Sequence, residues 1–222
     1  MQRNESVTLA VRPHGISDPF SYILEAARGK RVLNVGASGG VEHYLPDNRE
    51  SWLHARLGDV AETLVGLDID EDSINYAARH GVEIRYGNCE TYESESRFDL
   101  VVMSDVIEHV EAPLRAIENL ARQLAPGGRL LITTPNPTHY GLVARAWTMR
   151  GASVYYDHVM AFLPEHFQVI CSRLGLRLID VAFFSHIDAR SIGNRIKSRL
   201  ARIAGGLIPR SHSAFLVVLD RG

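Results

Sequence analysis

Arg31-Val32-Leu33-Asn34-Val35-Gly36-Ala37-Ser38-Gly39-Gly40 is the stretch that decides the fold. A short, mostly apolar run stops at a glycine-rich turn, the pattern of a strand buried on both faces that feeds a tight loop. Glycine at 36, 39 and 40 lets the backbone turn sharply and approach a ligand where a side chain would stand in the way. Downstream the same unit repeats. Trp52, Leu53, Leu57 and Val60 share one helical face and lead into a strand at 63–68. A helix at 71–80, a strand at 82–86 and a strand at 98–103 follow, the last apolar enough to be central. The amphipathic helix at 113–124 has proline in its first turn, where a missing N–H costs nothing. Pro126-Gly127-Gly128 closes that helix, and 129–134 is again a strand. Upstream, Phe20, Ile23, Leu24 and Ala27 give 17–28 a helical period that ends at Gly29.

Strands that alternate with helices over short connections predict an α/β fold with a parallel, doubly wound sheet, because parallel neighbours need crossovers. Beyond Pro135 the rhythm changes. A polar and aromatic stretch covers 136–158, a helix 164–174, and two strands, at 176–184 and 214–219, are expected to pair. The prediction is therefore a mostly parallel, seven-stranded sheet with an antiparallel C-terminal strand.

The chain has 222 residues, 45% of them hydrophobic, and a net charge of −2, enough for one substantial core. Near-neutral charge leaves no global footprint for nucleic acid, so no nucleic-acid partner is expected. The two cysteines, Cys89 and Cys171, form neither a disulfide framework nor a zinc pattern. No apolar run has the length of a signal-peptide core or approaches the roughly 20 residues that span a bilayer. A reducing cytoplasm is the expected location.

In an open parallel sheet a ligand lies outside the carboxyl ends of the strands, so residues just beyond them should converge. Asp68 ends one strand, where a carboxylate accepts the hydroxyls of a ribose. Asn88 and Cys89 follow another, where an amide and a backbone N–H face an adenine edge. A nicotinamide dinucleotide site is excluded: G-x-G-x-x-G needs glycine at 38 and 41, where this chain has Ser38 and Val41.

In order along the chain stand 32–40, Val65-Gly66-Leu67-Asp68-Ile69-Asp70, Tyr86-Gly87-Asn88-Cys89-Glu90, the run 98–110 with Ser104-Asp105-Val106-Ile107-Glu108-His109, and 124–130. These five motifs resemble those of class I S-adenosylmethionine-dependent methyltransferases, and within them the ubiquinone-biosynthesis type of small-molecule O-methyltransferase. The resemblance covers about half the chain, from Lys30 to Pro137, and implies S-adenosyl-L-methionine as cofactor. It places Gly36, Ala37 and Ser38 at the methionine moiety, with Asn34 beneath it. It puts Asp68 at the ribose, Ile69 on the adenine, Asn88 and Cys89 at the adenine's edge, and Ser104 and Val106 beside the sulfonium. Two positions depart from the family pattern: Asn34 stands where an acid is usual, and Ser38 where a second glycine is usual. One domain over 1–222 is expected, with a helical extension at 1–30, a cofactor-binding core at 30–137 and acceptor-side elements with the C-terminal strand pair at 138–222.

Methyl transfer to oxygen requires that the acceptor be aligned and lose its proton, so a base near neutral pKa is sought at the strand ends. His109 is the first candidate and His158 the second. Asp105, Glu108 and His109 also match a spacing that holds a divalent metal in some relatives and none in others, and no metal ligand is assigned. His139-Tyr140 and Tyr155-Tyr156-Asp157-His158 are expected over the site as a lid or acceptor wall. Basic residues interleaved with Ile192, Ile196, Leu200 and Ile203 make 190–210 a basic amphipathic helix, suited to packing on the sheet or to a membrane surface or lipid-linked substrate. The two functional readings are a methyltransferase acting on a small-molecule acceptor (sugar, lipid-linked glycan or phenol) and a non-catalytic cofactor-binding module.

Overall fold

A computed structural model describes residues 6–148, 151, 155–185 and 208–222. Its strands are β1 (His14–Gly15), β2 (Arg31–Val35), β3 (Thr63–Asp68), β4 (Arg85–Tyr86), β5 (Phe98–Ser104), β6 (Leu124–Pro135), β7 (Arg177–Phe184) and β8 (Ala214–Asp220). The helices are α1 (Pro19–Ala27), α2 (Leu53–Val60), α3 (Glu71–Arg79), α4 (Pro113–Arg122), α5 (Tyr140–Trp147) and α6 (Pro164–Leu174). All strands join one sheet in the order β1-β7-β8-β6-β5-β2-β3-β4. β8 runs antiparallel to β6 and β7, and every other pairing is parallel. The α/β class, the central β2 and β5 and the antiparallel C-terminal strand agree with the sequence.

The strand count does not: among the described residues the sheet has eight, because His14 and Gly15 pair with Ala182 and Phe183 at its edge. A two-residue strand leaves no alternation in the sequence to detect. Pro126-Gly127-Gly128 lies inside β6 rather than closing a helix. Gly127 has φ +75°, and a Cβ on Gly128 would lie 2.8 Å from the Phe98 carbonyl oxygen. The glycines therefore serve an irregularity in the β5–β6 pairing between Phe98 and Leu100.

Side chains of β2 alternate between two cores. Leu33 and Val35 pack with Met103, Ile117 and Phe167 on the α4 and α6 face. Val32 packs with Leu100, Ile23, Leu24 and Leu57 on the α1 and α2 face. Asn34 shares the parity of Val32 and so points toward α1 and α2. Asp18 caps α1, its Oδ1 accepting from Phe20 N at 3.0 Å, with Pro19 in the first turn. At the far end of β2, Arg31 Nη2 donates to Asp99 Oδ1 at 2.8 Å, and Arg31 N to Asp99 Oδ2 at 3.0 Å. Among the described residues no helix is long and apolar enough to cross a membrane. The basic helix expected at 190–210 lies outside the described residues except for its last three positions. There Arg210 is paired with Glu165.

Candidate active site

The loop after β2 is held by backbone donors and one carboxylate. Gly36 N and Ala37 N both donate to Leu67 O, at 2.9 and 3.2 Å. Ser38 N donates to Asp68 Oδ2 at 2.8 Å, while Ile69 N and Asp70 N donate to Asp68 Oδ1 at 2.8 and 3.2 Å. Gly36 has φ +73°, and a Cβ there would collide with Val106 Cγ2. Only glycine satisfies both constraints. Trp52 Nε1 donates to Ala37 O at 3.1 Å, which ties the loop to the start of α2.

Above this loop a cavity of about 730 Å³ opens at the carboxyl ends of β2, β3 and β5. Its wall includes Asn34, Gly36, Ala37, Asp68, Ile69, Ser104, Val106 and His109, the residues that the sequence singled out. The sequence did not single out His54, Trp52 or Thr133, nor Pro19, Phe20 and Ile23 of α1, which also line it. The segment expected as a helical extension thus supplies one side of the cavity. Ser38 is fully buried and absent from the lining, with Oγ lacking a partner among the described residues. Asn88 and Cys89 also lie outside the lining. Asn88 Oδ1 accepts from Glu90 N at 2.8 Å, and burial pushes the Cys89 thiol up to about 11.

A second cavity, of about 400 Å³, sits at the carboxyl end of β6 among Thr134, Pro135, Pro137, His139, Leu142, Tyr155, His158, Val159 and Met160. His109 and Asp157 face the first cavity and His158 the second; the two imidazoles meet edge to face with centroids 4.7 Å apart. His109 Nδ1 lies 3.0 Å from the Asp157 carbonyl oxygen and 3.3 Å from Asp157 Oδ2. Both neighbours are acceptors, so Nδ1 carries the hydrogen, and in the neutral imidazole the lone pair is then on Nε2. Beneath the pair, Glu108 is 1% exposed; its Oε2 accepts from Thr134 Oγ1 at 3.0 Å, and Oε1 has no partner among the described residues. Burial raises the Glu108 carboxyl to about 7.

Glu108, His109 and His158 each present one ligand atom, all within 4.8 Å of one another. Asp105 stands apart from this group, at φ +51°, held by Thr133: its N donates to Thr133 Oγ1 at 3.0 Å, and its Oδ1 accepts from that hydroxyl at 3.1 Å. Of the expected lid, His139, Tyr155 and His158 line the second cavity and Asp157 the first. Tyr140 and Tyr156 line neither and are exposed.

A doubly wound sheet with one antiparallel strand beside its C-terminal edge, carrying a glycine loop and a strand-end aspartate over one cavity, is the architecture of a class I methyltransferase. Residues 10–181 match the family model described as a methyltransferase domain. The chain belongs to this family, that of the S-adenosylmethionine-dependent methyltransferases. It is 28% identical over 170 residues to a ubiquinone biosynthesis O-methyltransferase of Coxiella burnetii, a match that covers 69% of this chain and 66% of that protein. The match thus spans a little under two thirds of that relative's length. The fold is like that of an S-adenosylmethionine-dependent methyltransferase from Archaeoglobus fulgidus, with TM-score 0.59 and 18% identity over 90% of this chain and 89% of that one. It is also like that of the N-methyltransferase NodS from Bradyrhizobium japonicum in complex with S-adenosyl-L-homocysteine, with TM-score 0.51 and 15% identity over 91% and 87%. The residues present fit such a cofactor, because the Gly36 backbone and the strand-end carboxylate of Asp68 line one cavity of about 730 Å³, large enough for it.

Proposed function

We propose that this chain methylates a hydroxyl oxygen of a small acceptor whose apolar, phenol-like body occupies the second cavity, with His109 as the general base. The observation that carries the reading is the pair of cavities meeting at the His109–His158 wall. Proline, leucine, valine and methionine side chains in the second cavity suit an aromatic body better than a sugar. Resemblance to a protein named as an O-methyltransferase supports oxygen as the methylated atom.

When bound, S-adenosylmethionine supplies an activated methyl group, so the protein has to align, desolvate and deprotonate the acceptor. Asp68 would accept a ribose hydroxyl through the lone pairs left by its backbone donors, and Ile69 would cover the purine. Ala37, Ser104 and Val106 would bound the methionine and sulfonium, whereas Ser38, Asn88 and Cys89 stand off the lining and would support the pocket from behind. The Asp157 carbonyl orients His109 so that Nε2 takes the acceptor's proton. A cytoplasmic site of action is consistent with two buried, unpaired cysteines.

The test is formation of S-adenosylhomocysteine from a panel of phenols and sugars, by wild type and by His109→Gln. Loss of the base is expected to lower kcat by about 10²- to 10⁴-fold while S-adenosylhomocysteine still binds. A variant that turns over at the wild-type rate removes His109 from the chemistry, and turnover of sugars alone removes the phenol assignment.

A further inference from the structure

Asn34 stands at the end of the central strand, 3% exposed, on the face that α1 and α2 cover. An amide in that place needs a partner, since a buried donor without one is destabilising. The partner is His54, from the first turn of α2: Asn34 Nδ2 lies 3.2 Å from His54 Nδ1. The imidazole is itself 4% exposed and packs against Trp52 with ring centroids 5.2 Å apart. Its room comes from Gly66, the cross-strand neighbour of Asn34, where a Cβ would lie 2.7 Å from His54 Cε1. A glycine in the middle of an otherwise apolar strand thus marks the close approach of a ring.

Burial holds His54 down to about 4, so at neutral pH it is an uncharged ring with one N–H and one lone pair. With the lone pair on Nδ1 taking the Asn34 amide hydrogen, the proton is on Nε2. Two polar atoms then remain, Asn34 Oδ1 and His54 Nε2–H. Neither has a hydrogen bond among the described residues, yet neither is a sealed orphan, as Ser38 Oγ, Glu108 Oε1 and Ser211 Oγ are. Both residues line the 730 Å³ cavity, and these are the polar side-chain atoms of the pair not already bonded among the described residues.

We infer that His54 is a positioning residue: by taking the amide hydrogen of Asn34 it turns Asn34 Oδ1 toward the cavity as an acceptor for the cofactor's α-ammonium, while its own Nε2–H meets the α-carboxylate. This rests on reading the cavity as the S-adenosylmethionine site. The order of strands supplies the direction. With the ribose at Asp68 on β3 and the purine outward over Ile69, the rest of the molecule runs over β2, where Asn34 lies, toward Ser104 and His109 beyond β5. Only the amino-acid end of this cofactor carries a donor-only ammonium beside an acceptor-only carboxylate. An acceptor and a donor, both uncharged and fixed to each other, match that pair.

Calorimetry with two ligands isolates this role in the full chain: S-adenosylhomocysteine, which has the amino-acid end, and 5′-methylthioadenosine, which lacks it. His54→Phe keeps the ring volume and removes both nitrogens. It is expected to weaken S-adenosylhomocysteine by roughly 10- to 100-fold, the scale of hydrogen bonds to charged groups, and to leave 5′-methylthioadenosine within about twofold. His54→Asn, which restores an acceptor near the Nδ1 position, is expected to recover part of the loss. If His54→Phe does not fold, Asn34→Leu carries the same comparison from the other side of the pair. Equal weakening of both ligands, or of neither, overturns the inference and leaves His54 a packing residue. Wild-type protein that binds neither ligand overturns the cofactor reading itself, a different result from wild type binding both and the variants losing nothing.

Discussion

Replacing Glu108 by glutamine tests how the wall between the two cavities is held. The carboxyl is 1% exposed, and among the described residues the side chain that donates to it is Thr134, Oγ1 to Oε2 at 3.0 Å. Its folded-state value, about 7, lies above the ordinary carboxyl value of 4.5, because the ionised form is stripped of water and Asp105 adds a like charge nearby. The sign follows from proton binding: the folded protein holds this proton more tightly than the unfolded chain does. The contribution to stability is therefore fully present below about pH 4.5 and is lost as pH rises through about 7. The gap between the two values caps the loss at about 3 kcal/mol, and relaxation around the charge will lower it. Glutamine keeps the shape and an oxygen for Thr134 but has nothing to ionise. Urea unfolding of wild type and Glu108→Gln at a series of pH values from 4 to 8.5 should show the variant gaining on the wild type by roughly 1 to 3 kcal/mol across that window, with unchanged m. Parallel stability curves would refute the argument, because they would mean that the carboxylate is already compensated where the structure shows it bare.

Three further outcomes bear on the site. Gly36→Ala adds a Cβ against Val106 Cγ2 at a residue with φ +73°, and should cost about 2 to 4 kcal/mol, of which Val106→Ala recovers only the steric part, about 1 to 2; full recovery would show that the dihedral is not strained. Asp68→Ala removes the acceptor of three loop N–H groups and should weaken S-adenosylhomocysteine by at least about 30-fold in calorimetry, whereas undiminished affinity would defeat the site assignment. Asp99, held at about 2 by Arg31, should make Asp99→Asn less stable than wild type by about 1 kcal/mol above pH 4, with the difference vanishing as pH falls toward 2 in thermal melts.

The central strands, the crossover helices and the C-terminal strand pair were legible because each carries enough residues for its apolar period to show. Arg31–Val35, Thr63–Asp68 and Pro164–Leu174 fall where the pattern puts them. Elements set by tertiary contact were not legible. His14–Gly15 becomes a strand only because β7 offers an edge. Tyr140–Trp147 is a helix with no buried residue, so no stripe betrays it. At the site, Gly36, Asp68 and His109 could be found from their places at strand ends, whereas His54 could not, since a histidine on an amphipathic helix has no mark of its own. The signal lay elsewhere, in Gly66, an apolar strand's only glycine, directly across from Asn34.

Two departures from the family pattern, Ser38 and Asn34, would favour a non-catalytic module, but each loses that force through a particular contact. Ser38 occupies a glycine position without blocking the cavity, because its side chain is buried away from the lining and the loop needs only its N–H, which Asp68 receives at 2.8 Å. Asn34 lacks an acid's charge, but a carboxylate there would face a ring that burial keeps neutral. One of the two would have to change protonation state, or the charge would stay desolvated against an uncharged partner. Asparagine avoids that conflict and still presents an oxygen. The substitution at 34 and the histidine at 54 are thus one feature, and reverting Asn34 to aspartate without also changing His54 should impair this loop rather than restore a stronger site.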